Sequence, residues 1–397
     1  MDIVIVAQYL GNLEQINKNN NRFLYIANIL KENHQVEIVT SEFIHGLKKH
    51  NKETVACTQC NRITKISEPG YKKNVCLKRF YSHHILGKNV YDYLSKREKP
   101  DIIYCAVPSL SCAYMVSKYC QKNGVRFVID IQDLWPEAFR MVFDIPIIGN
   151  ILYGPMKAQA DYIYRRADAI VAVSKTYCDR ANISSDRYVP TEVVYLGTDI
   201  DYFDKCGLDN KQEKKKDRFI IGYTGTLGHS YDLKCVIDAM KIIQEKGHMN
   251  VDLYVIGDGP KRVEFESYAN EHCYNTYFWG RLEYPQMCGL LFICDICINP
   301  ISKGSFASII NKHADYAAAG VPVINTQESK EYRQLVAEYE CGINCNCGNA
   351  EDVAEAIIYL IEHEEERIKM GLNSRKMAED LFDRKHTYEN IKKLLQR

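Results

Sequence analysis

Short apolar runs that alternate with helical patterns constrain the fold of this 397-residue chain more than any other feature. Such runs are typical of strands buried on both faces of a parallel sheet, and apolar residues at three-and-four spacing between them indicate helices. The repeated βα units predict a doubly wound α/β fold. The predicted strands are 3–7, 36–39, 101–105, 126–131, 169–173, 192–196, 219–223, 250–256, 275–279, 294–298 and 321–325.

The length of the chain suggests more than one domain, because a single hydrophobic core rarely serves so many residues. The alternation stops at Leu196–Asp199 and at the highly charged stretch 209–218, and then starts again. We therefore predict two Rossmann-like domains, 1–197 and 198–380. A last amphipathic helix within 381–397 is predicted to pack back toward the N-terminal domain.

The segment 298–325 joins two predicted strands through a polar loop and a helix that runs from Ile309 to Gly320. A helix that begins at a strand's carboxyl end directs unpaired N–H groups toward the ligand crevice, where they favour phosphate. Lys312 and Asp315 are three residues apart and so share one face of this helix. One cation for phosphate and one carboxylate for sugar hydroxyls suit a nucleotide-sugar. The alternative is an ordinary pair of charged surface residues.

Three further turns follow strands of the same predicted sheet. The glycine-rich turn 222–228 either brings backbone N–H groups to a pyrophosphate or is an ordinary tight turn. The turns Gly257–Pro260 and Gly280–Arg281 follow the next two strands. All of these turns would meet at one sheet edge. Neither a Walker A motif nor the dinucleotide fingerprint is present in the sequence.

The distribution of charged residues argues against a nucleic-acid partner and suggests contact with a membrane surface. The net charge of zero gives no general support to a nucleic-acid partner. The segment 45–100 differs, with thirteen Lys or Arg residues against four acidic ones. It is either a basic patch for the inner membrane surface, with aromatic residues interleaved, or a solvated surface. Because no membrane span and no signal peptide is recognised, we expect a cytoplasmic protein, peripheral on the inner face of the membrane.

Sixteen cysteines in such a chain are expected to be reduced thiols. Cys57 and Cys60 have the spacing of metal ligands, but no second pair follows at zinc-finger distance. Cys341, Cys345 and Cys347 form a loose group far away in sequence. A structural zinc or redox module is the alternative to loop and core thiols. We expect no metal site and no cofactor.

Several segments carry a resemblance to a known family. Gly257–Pro260, Trp279–Arg281 and above all Asn311–Ile324, within the two-domain layout, resemble the retaining glycosyltransferases of family 4. That family has the GT-B fold, in which two Rossmann-like domains face a central cleft. Asp130–Glu137 resembles a segment of bacterial members that assemble capsule, O-antigen or exopolysaccharide repeat units. The resemblance covers nearly the whole chain.

The resemblance implies transfer of a sugar, with retention, from a nucleotide-diphosphate sugar to a lipid-linked saccharide. UDP is the first expectation for the nucleotide and GDP the second. Lys312 would bind the diphosphate and Asp315 the ribose, the turn at Arg281 the base, and Gln132 with Asp133 would face the sugar or acceptor. We therefore predict Gln132, Asp133 and Lys312 as catalytic residues. The other predicted residues are Gly225, Thr226, Leu227, Gly228, His229, Gly257, Asp258, Ser308, Ile309 and Ile310 on the donor side, and Gly11 and Asn12 with Gln132 on the acceptor side.

The chain departs from the family pattern at several positions. One of the two glutamates common in family members falls on Ala307. The usual arginine and lysine after the first strand of the nucleotide domain fall near Gly225 and Tyr231, and the usual histidine of the N-terminal domain is Gln132. Phosphate binding would then depend more on backbone N–H groups around Thr226–His229 and 308–310, together with Lys312 and Arg281.

Two other classes of function are open. A nucleotide-sugar 2-epimerase on the same scaffold needs acid and base groups in its cleft, for which the segment 298–325 offers only Asp315 and His313. A non-catalytic metal or redox protein would use the cysteine clusters.

Overall fold

Two parallel sheets, one in each half of the chain, carry the fold. The computed structural model describes residues 1–11, 21–53, 57–74, 76–140, 148–272, 275–304 and 308–396. By its internal contacts the chain divides into two units. The first comprises Met1–Tyr195 and His386–Arg397, and the second comprises Leu196–Lys385. The charged stretch 209–218 therefore lies inside the second unit and leads into its first strand.

The first unit is built on a seven-stranded parallel sheet with the strand order β5-β2-β1-β6-β7-β8-β9. Ile3 of β1 pairs with Val36 on one side and with Ile102 on the other. Ile3, Ile38 and Tyr104 are fully buried, as strands covered on both faces should be. The strands of this unit, including a short antiparallel pair outside the sheet, are β1 Asp2–Val6, β2 Gln35–Ser41, β3 Phe43–Ile44, β4 Lys49–His50, β5 Arg62–Ile66, β6 Ile102–Val107, β7 Arg126–Ile131, β8 Ala169–Ala172 and β9 Thr191–Val193.

Helices connect the strands of the first unit, and a segment from the end of the chain completes it. Arg126 donates hydrogen bonds to the carbonyls of Leu394 and Leu395 at 2.8 and 2.7 Å, so the last helix is tied to β7. The helices are Arg22–Lys31, Leu77–Lys96, Leu110–Asn123, Glu137–Arg140, Ile148–Arg166, Lys175–Ile183 and Glu389–Gln396.

The second unit has a six-stranded parallel sheet with the order β12-β11-β10-β13-β14-β15. The chain first builds outward from β10 in one direction and then returns to build in the other. This reversal makes the carboxyl end of β10 a topological switch point, where doubly wound proteins bind ligands. The strands are β10 Phe219–Thr224, β11 Val251–Ile256, β12 Thr276–Gly280, β13 Ile296–Asn299, β14 Val323–Asn325 and β15 Gly342–Asn344.

Helices cover both faces of this second sheet. Apolar residues of Leu233–Glu245 and Ala350–Glu362 pack into one core with the strands. Within the described ranges no helix is long and apolar enough to cross a membrane. The helices that belong wholly to this unit are Ile200–Asp209, Leu233–Glu245, Arg262–His272, Tyr284–Leu291, Asn311–Ala318, Lys330–Glu338, Ala350–Glu362 and Glu364–Met377; a π-helical turn at Ala378–Phe382 follows, and Arg384–Thr387 spans the boundary between the units.

The alternation of predicted strands and helices is confirmed, but several elements were not predicted, among them the short pair β3–β4 and the helix Glu137–Arg140. The segment 41–80 shows no convincing periodicity and no strand is predicted in it, yet β5 pairs with β2 at the sheet edge. Most of its side chains are only partly buried there, so the strand carries no clear apolar signal. The helix Ile200–Asp209 was not predicted, because its start coincides with the break at Leu196–Asp199. The short strand β15 was also not predicted.

Candidate active site

A cavity of about 700 Å³ lies at the carboxyl edge of the second sheet, beside the switch point. We call it the edge cavity. Turns that follow β10, β11 and β12 form one side of it, and the start of the helix Asn311–Ala318 forms the other. Its lining residues are Thr224, Gly225, Thr226, Tyr231, Ile256, Gly257, Asp258, Gly259, Arg281, Leu282, Met287, Ile310, Asn311, Lys312 and Asp315.

Two glycine turns meet backbone to backbone in the wall of this cavity. A Cβ atom on Gly257 would lie only 1.8 Å from the carbonyl oxygen of Gly225. The Leu227 N–H donates to the carbonyl of Asp258 at 3.0 Å, and the Lys261 N–H donates to the carbonyl of Leu227 at 3.0 Å. Glycine at position 257 is therefore a requirement of the fold, because no side chain fits between the two turns.

Lys312 places a buried ammonium group in the edge cavity. Its side chain is only 6% exposed, and Nζ has no hydrogen-bond partner among the residues that the structure describes. Nζ lies 4.1 Å from the ring centroid of Tyr223 and 4.2 Å from that of Tyr231. Two cation–π contacts of about 0.5–2 kcal/mol each do not replace the lost hydration. Burial therefore holds the pKa of Lys312 well below its ordinary value.

Asp315 lies one turn further along the same helix and lines the same cavity. Its Oδ1 accepts a hydrogen bond from the Tyr284 hydroxyl at 3.0 Å. Burial raises the pKa of Asp315 to about 6, although the hydrogen bond from Tyr284 and the charge of Arg384 act in the opposite direction. The carboxylate is thus fixed in direction and is mostly ionised near neutral pH.

His313, between these two residues, serves the structure of the helix start. Its Nδ1 accepts a hydrogen bond from the Ile310 N–H at 3.3 Å, and its Nε2 lies 3.1 Å from the Asn299 amide. The ring stacks on Tyr332 with centroids 3.5 Å apart. Burial, followed by the charge of Lys312, holds the pKa of His313 well below its ordinary value. His313 is therefore a neutral, fully buried residue that does not line the edge cavity.

The structure brings eight of the thirteen predicted donor-side residues to the edge cavity, namely Gly225, Thr226, Gly257, Asp258, Arg281, Ile310, Lys312 and Asp315. The other five do not line it. Leu227 is buried in the core of the unit, and its N–H is bonded to Asp258. Gly228 and His229 lie beyond it in the same turn, where the His229 carbonyl accepts the Ser302 hydroxyl at 3.1 Å. Ser308 and Ile309 are buried, and the Ser308 carbonyl accepts the Gln327 amide at 2.7 Å.

Several lining residues were not predicted as site residues. Ile256, Leu282 and Met287 give the cavity an apolar wall, which offered no motif to recognise in the sequence. Tyr231 was noticed only as the position where the family's lysine falls. An aromatic residue there could have signalled a cation held by its ring.

The predicted residues of the first unit lie at the carboxyl edge of its own sheet. Asp133 accepts the Leu134 N–H at 2.9 Å and the Trp135 indole N–H at 3.3 Å. Burial raises the pKa of Asp133 to about 6. The Nε2 of Gln132 is buried and has no hydrogen-bond partner within the described residues. Gly11 lines a separate cavity of about 170 Å³.

Two residues named in the sequence predictions, Asn12 and Ala307, lie outside the described residues. The cysteines carry no visible metal constellation: in the described ranges no three His, Cys, Asp or Glu side chains are grouped as metal ligands. Cys341 and Cys345 are fully buried, and Cys60 packs in the core of the first unit.

Comparison with solved structures defines the architecture as GT-B. HepE from Anabaena, in a crystal structure with UDP, superposes with a TM-score of 0.71 over 100% of both chains at 16% identity. That identity is low, so the likeness is one of fold. Together with the two parallel sheets, it confirms the prediction of two Rossmann-like domains of the GT-B class.

Sequence comparison adds a family signal for part of the chain. Residues 207–377 match the family model described as Glycosyl transferases group 1. The chain is 26% identical over 243 residues to an uncharacterized glycosyltransferase of Methanocaldococcus jannaschii, covering 59% of this chain and 60% of that protein. It is 27% identical over 207 residues to the capsular polysaccharide biosynthesis glycosyltransferase CapM of Staphylococcus aureus, covering 48% and 51%. The matches thus span only about half to three fifths of these relatives.

Proposed function

We propose that the protein is a glycosyltransferase that moves a sugar, with retention of configuration, from a nucleotide-diphosphate sugar to a saccharide acceptor. The observation that carries the proposal is the ammonium group of Lys312. It is buried in a cavity of nucleotide size, and no described carboxylate neutralises it. Such an arrangement is costly unless an anion completes it. The match of residues 207–377 to group 1 glycosyltransferases supports the same reading.

The proposed chemistry uses these residues as follows. The bond between the anomeric carbon and the diphosphate oxygen breaks, and both electrons go to the oxygen. Lys312 stabilises the charge that develops on the diphosphate. The acceptor hydroxyl oxygen forms the new bond on the same face of the sugar, and its proton passes to the leaving diphosphate. Asp315 holds the ribose hydroxyls, and Gln132 and Asp133 face the sugar or the acceptor.

A nucleotide with a uracil base is the first choice for the donor. The apolar wall of Ile256, Leu282 and Met287 can cover one face of a base, while Arg281 stands exposed near it. The structural relative HepE is described in complex with UDP, which supports the choice. Because Lys312 supplies the charge at the diphosphate, we propose that binding needs no metal ion.

Calorimetric titration of the full chain with UDP, GDP, ADP and CMP, each with and without EDTA, tests the proposal. We expect UDP to bind most tightly and EDTA to change nothing. GDP in first place would revise only the base, whereas binding of none of these nucleotides would contradict the proposed function. A requirement for magnesium would contradict the assignment of the diphosphate charge to Lys312 alone.

The 2-epimerase alternative is weakened by His313. An epimerase needs acid and base groups that reach the sugar, and His313 is buried, neutral and bonded within the helix start. The two reactions differ in their products. An epimerase converts the nucleotide-sugar to its 2-epimer without any acceptor, whereas a transferase releases a nucleoside diphosphate and elongates the acceptor.

We further propose that the acceptor is lipid-linked and belongs to bacterial surface polysaccharide synthesis, with a membrane surface beside the first unit. CapM, described as a capsular polysaccharide glycosyltransferase, supports the pathway. The segment 45–100 supports the membrane contact, because it combines its thirteen cations with exposed apolar side chains. Leu77 is 86% exposed and Tyr81 58% exposed. Exposed apolar groups among lysines are what an anionic bilayer surface binds.

Replacing both Leu77 and Tyr81 by serine is expected to weaken binding to anionic vesicles by about tenfold, since about 1–2 kcal/mol of apolar burial is lost. Co-sedimentation with phosphatidylglycerol vesicles measures this. The matched control replaces Ile183 and Tyr188, which are 84% and 89% exposed elsewhere in the first unit. Equal losses in both double variants, or binding that ignores salt, would count against a membrane surface at 45–100.

A further inference from the structure

A group of cations and aromatic rings stands at the carboxyl edge of the first sheet. It consists of Tyr9, His45, Lys48, Tyr71, Arg79 and His83, and we call it the Lys48–Arg79 cluster. The Arg79 guanidinium lies 4.7 Å from the ring centroid of Trp135, whose indole N–H donates to Asp133. The cluster therefore borders the residues predicted to face the acceptor.

The two cations of the cluster are held by neutral groups. Lys48 Nζ lies 2.5 Å from the Asn74 side-chain oxygen and 3.2 Å from His45 Nδ1. Arg79 donates to the Tyr9 hydroxyl at 3.1 Å and to the Asn74 carbonyl at 2.9 Å, while its Nε is buried without a hydrogen-bond partner in the described part of the chain. Neither cation has an ion-pair partner there.

A carboxylate beside the cluster, that of Glu68, is already satisfied by neutral donors. Glu68 accepts the hydroxyls of Ser41 and Ser82 at 2.5 Å each and the Gln8 amide at 3.1 Å. It is only 3% exposed and forms no ion pair with Lys48 or Arg79. The other nearby carboxylate, Asp133, also accepts from neutral donors, the Leu134 N–H and the Trp135 indole N–H, although the charge of Arg79 reaches it. Lys48 and Arg79 therefore lie in one small region without a direct ion pair among the described residues.

The positive charge of the cluster contributes to lowered pKa values of two neighbouring histidines. Burial, then the charges of Lys48 and Arg79, lowers the pKa of His45 to about 4. Burial, then the charges of Arg79 and His45, lowers the pKa of His83 to about 3. Lys48 also has a left-handed backbone with φ of 55°, which costs a non-glycine residue of the order of 1 kcal/mol. This conformation belongs to the turn between β3 and β4, where the Lys48 N–H donates to the Ile44 carbonyl at 2.8 Å.

We propose that the Lys48–Arg79 cluster binds a phosphate or diphosphate group. The arginine fork and the lysine point charge are complementary ways of holding phosphate oxygens. The inference that this group belongs to the acceptor rests on the proposed function. The inference that the cluster binds a diphosphate does not depend on the proposed function. The chemistry fits both a lipid-linked diphosphate and a free one.

The test measures binding of inorganic pyrophosphate and of a short-chain polyprenyl diphosphate to the full-length Lys312→Met variant. This background lacks the cation of the edge cavity, so the result is independent of the donor site. Arg79→Gln and Lys48→Gln are each expected to weaken binding at least tenfold. Lys49→Gln and Lys78→Gln, at exposed neighbouring positions, are matched controls and should change it less than twofold. Thermal unfolding confirms that each variant is folded.

Each outcome decides a part of the proposal. Tighter binding of the polyprenyl compound identifies a lipid-linked ligand, and equal binding identifies a free diphosphate. Failure of both probes to bind, or equal losses in all four variants, would overturn the site, because only diffuse charge would then remain. In a chain that retains Lys312, the Arg79→Gln substitution should raise KM for the acceptor and leave KM for the donor unchanged. If no donor supports transfer, the proposed function fails while the pyrophosphate result still stands.

Discussion

Replacing Lys312 with methionine is expected to abolish sugar transfer while making the empty protein more stable. Methionine fills nearly the same space between Tyr223 and Tyr231 but carries no charge. In the empty protein it removes a buried ammonium group that lacks a described partner, which should stabilise the fold by about 1–3 kcal/mol. With the diphosphate bound, the same change removes its cation, and UDP affinity should fall at least about 100-fold.

Opposite signs for stability and binding make this experiment decisive. Denaturant unfolding measures the first and calorimetry with UDP the second. Lys261→Met is the control, because Lys261 belongs to the neighbouring turn but does not line the edge cavity. UDP affinity within twofold of wild type in Lys312→Met would remove Lys312 from the diphosphate site. A large loss of stability would show that the ammonium group is paired in the native protein.

The protonation of Lys312 supplies a second readout. Burial lowers its pKa in the empty site, and a bound diphosphate must raise that pKa again. At a pH between these two values, UDP binding should therefore take up as much as one proton. Calorimetry at a series of pH values, each in buffers of different ionisation enthalpy, measures this. Lys312→Met should show no uptake.

The same shift predicts how stability depends on pH. Because the folded pKa of Lys312 lies below the unfolded value of about 10.4, the unfolded chain binds more protons between the two values. Wild-type stability should therefore rise with pH across that window relative to Lys312→Met. The advantage of the methionine variant should shrink accordingly as the pH approaches 10.

Much of the second unit could be predicted because its signals are local. Apolar runs locate β10, β11, β13 and β14, and glycine with φ of 66° at position 320 follows the helix where the sequence predicted its end. Local signals also place the turns at one sheet edge, since carboxyl ends of parallel strands meet there. The edge cavity follows from these elements alone.

The environment of each side chain could not be read in the same way. Nothing local shows that Lys312 is buried between two tyrosines, because Tyr223 lies 89 positions before it in the sequence and pairing across such a distance depends on the fold. Nor does the spacing distinguish His313 from its neighbours, although the helix turns it into the core while Lys312 and Asp315 face the cavity. The Lys48–Arg79 cluster likewise gathers residues from separate loops and from the helix Leu77–Lys96.

Gly257→Ala is expected to destabilise the second unit by more than about 3 kcal/mol and to abolish UDP binding. Two effects combine at this position. The backbone has φ of 149°, a conformation that side chains other than glycine rarely adopt. The added Cβ would also meet the Gly225 carbonyl oxygen at 1.8 Å. A Cβ atom and a carbonyl oxygen cannot rotate away from each other as a flexible side chain could, so a whole turn must move. Substitutions that force such a backbone movement are among the most destabilising single changes.

Alanine substitutions at two other glycines distinguish the cost of backbone strain from the cost of the steric clash. Gly247 has φ of 95° with nothing within 4 Å of an added Cβ, so Gly247→Ala should cost only the conformational term of about 1–2 kcal/mol. At Gly228 the nearest atom would be the Thr226 methyl at 3.7 Å, an ordinary contact, and Gly228→Ala should change stability by less than about 0.5 kcal/mol. If Gly257→Ala cost no more than Gly247→Ala, the two turns would not be in backbone contact. The edge cavity would then lack the wall that brings the main chain close to a diphosphate.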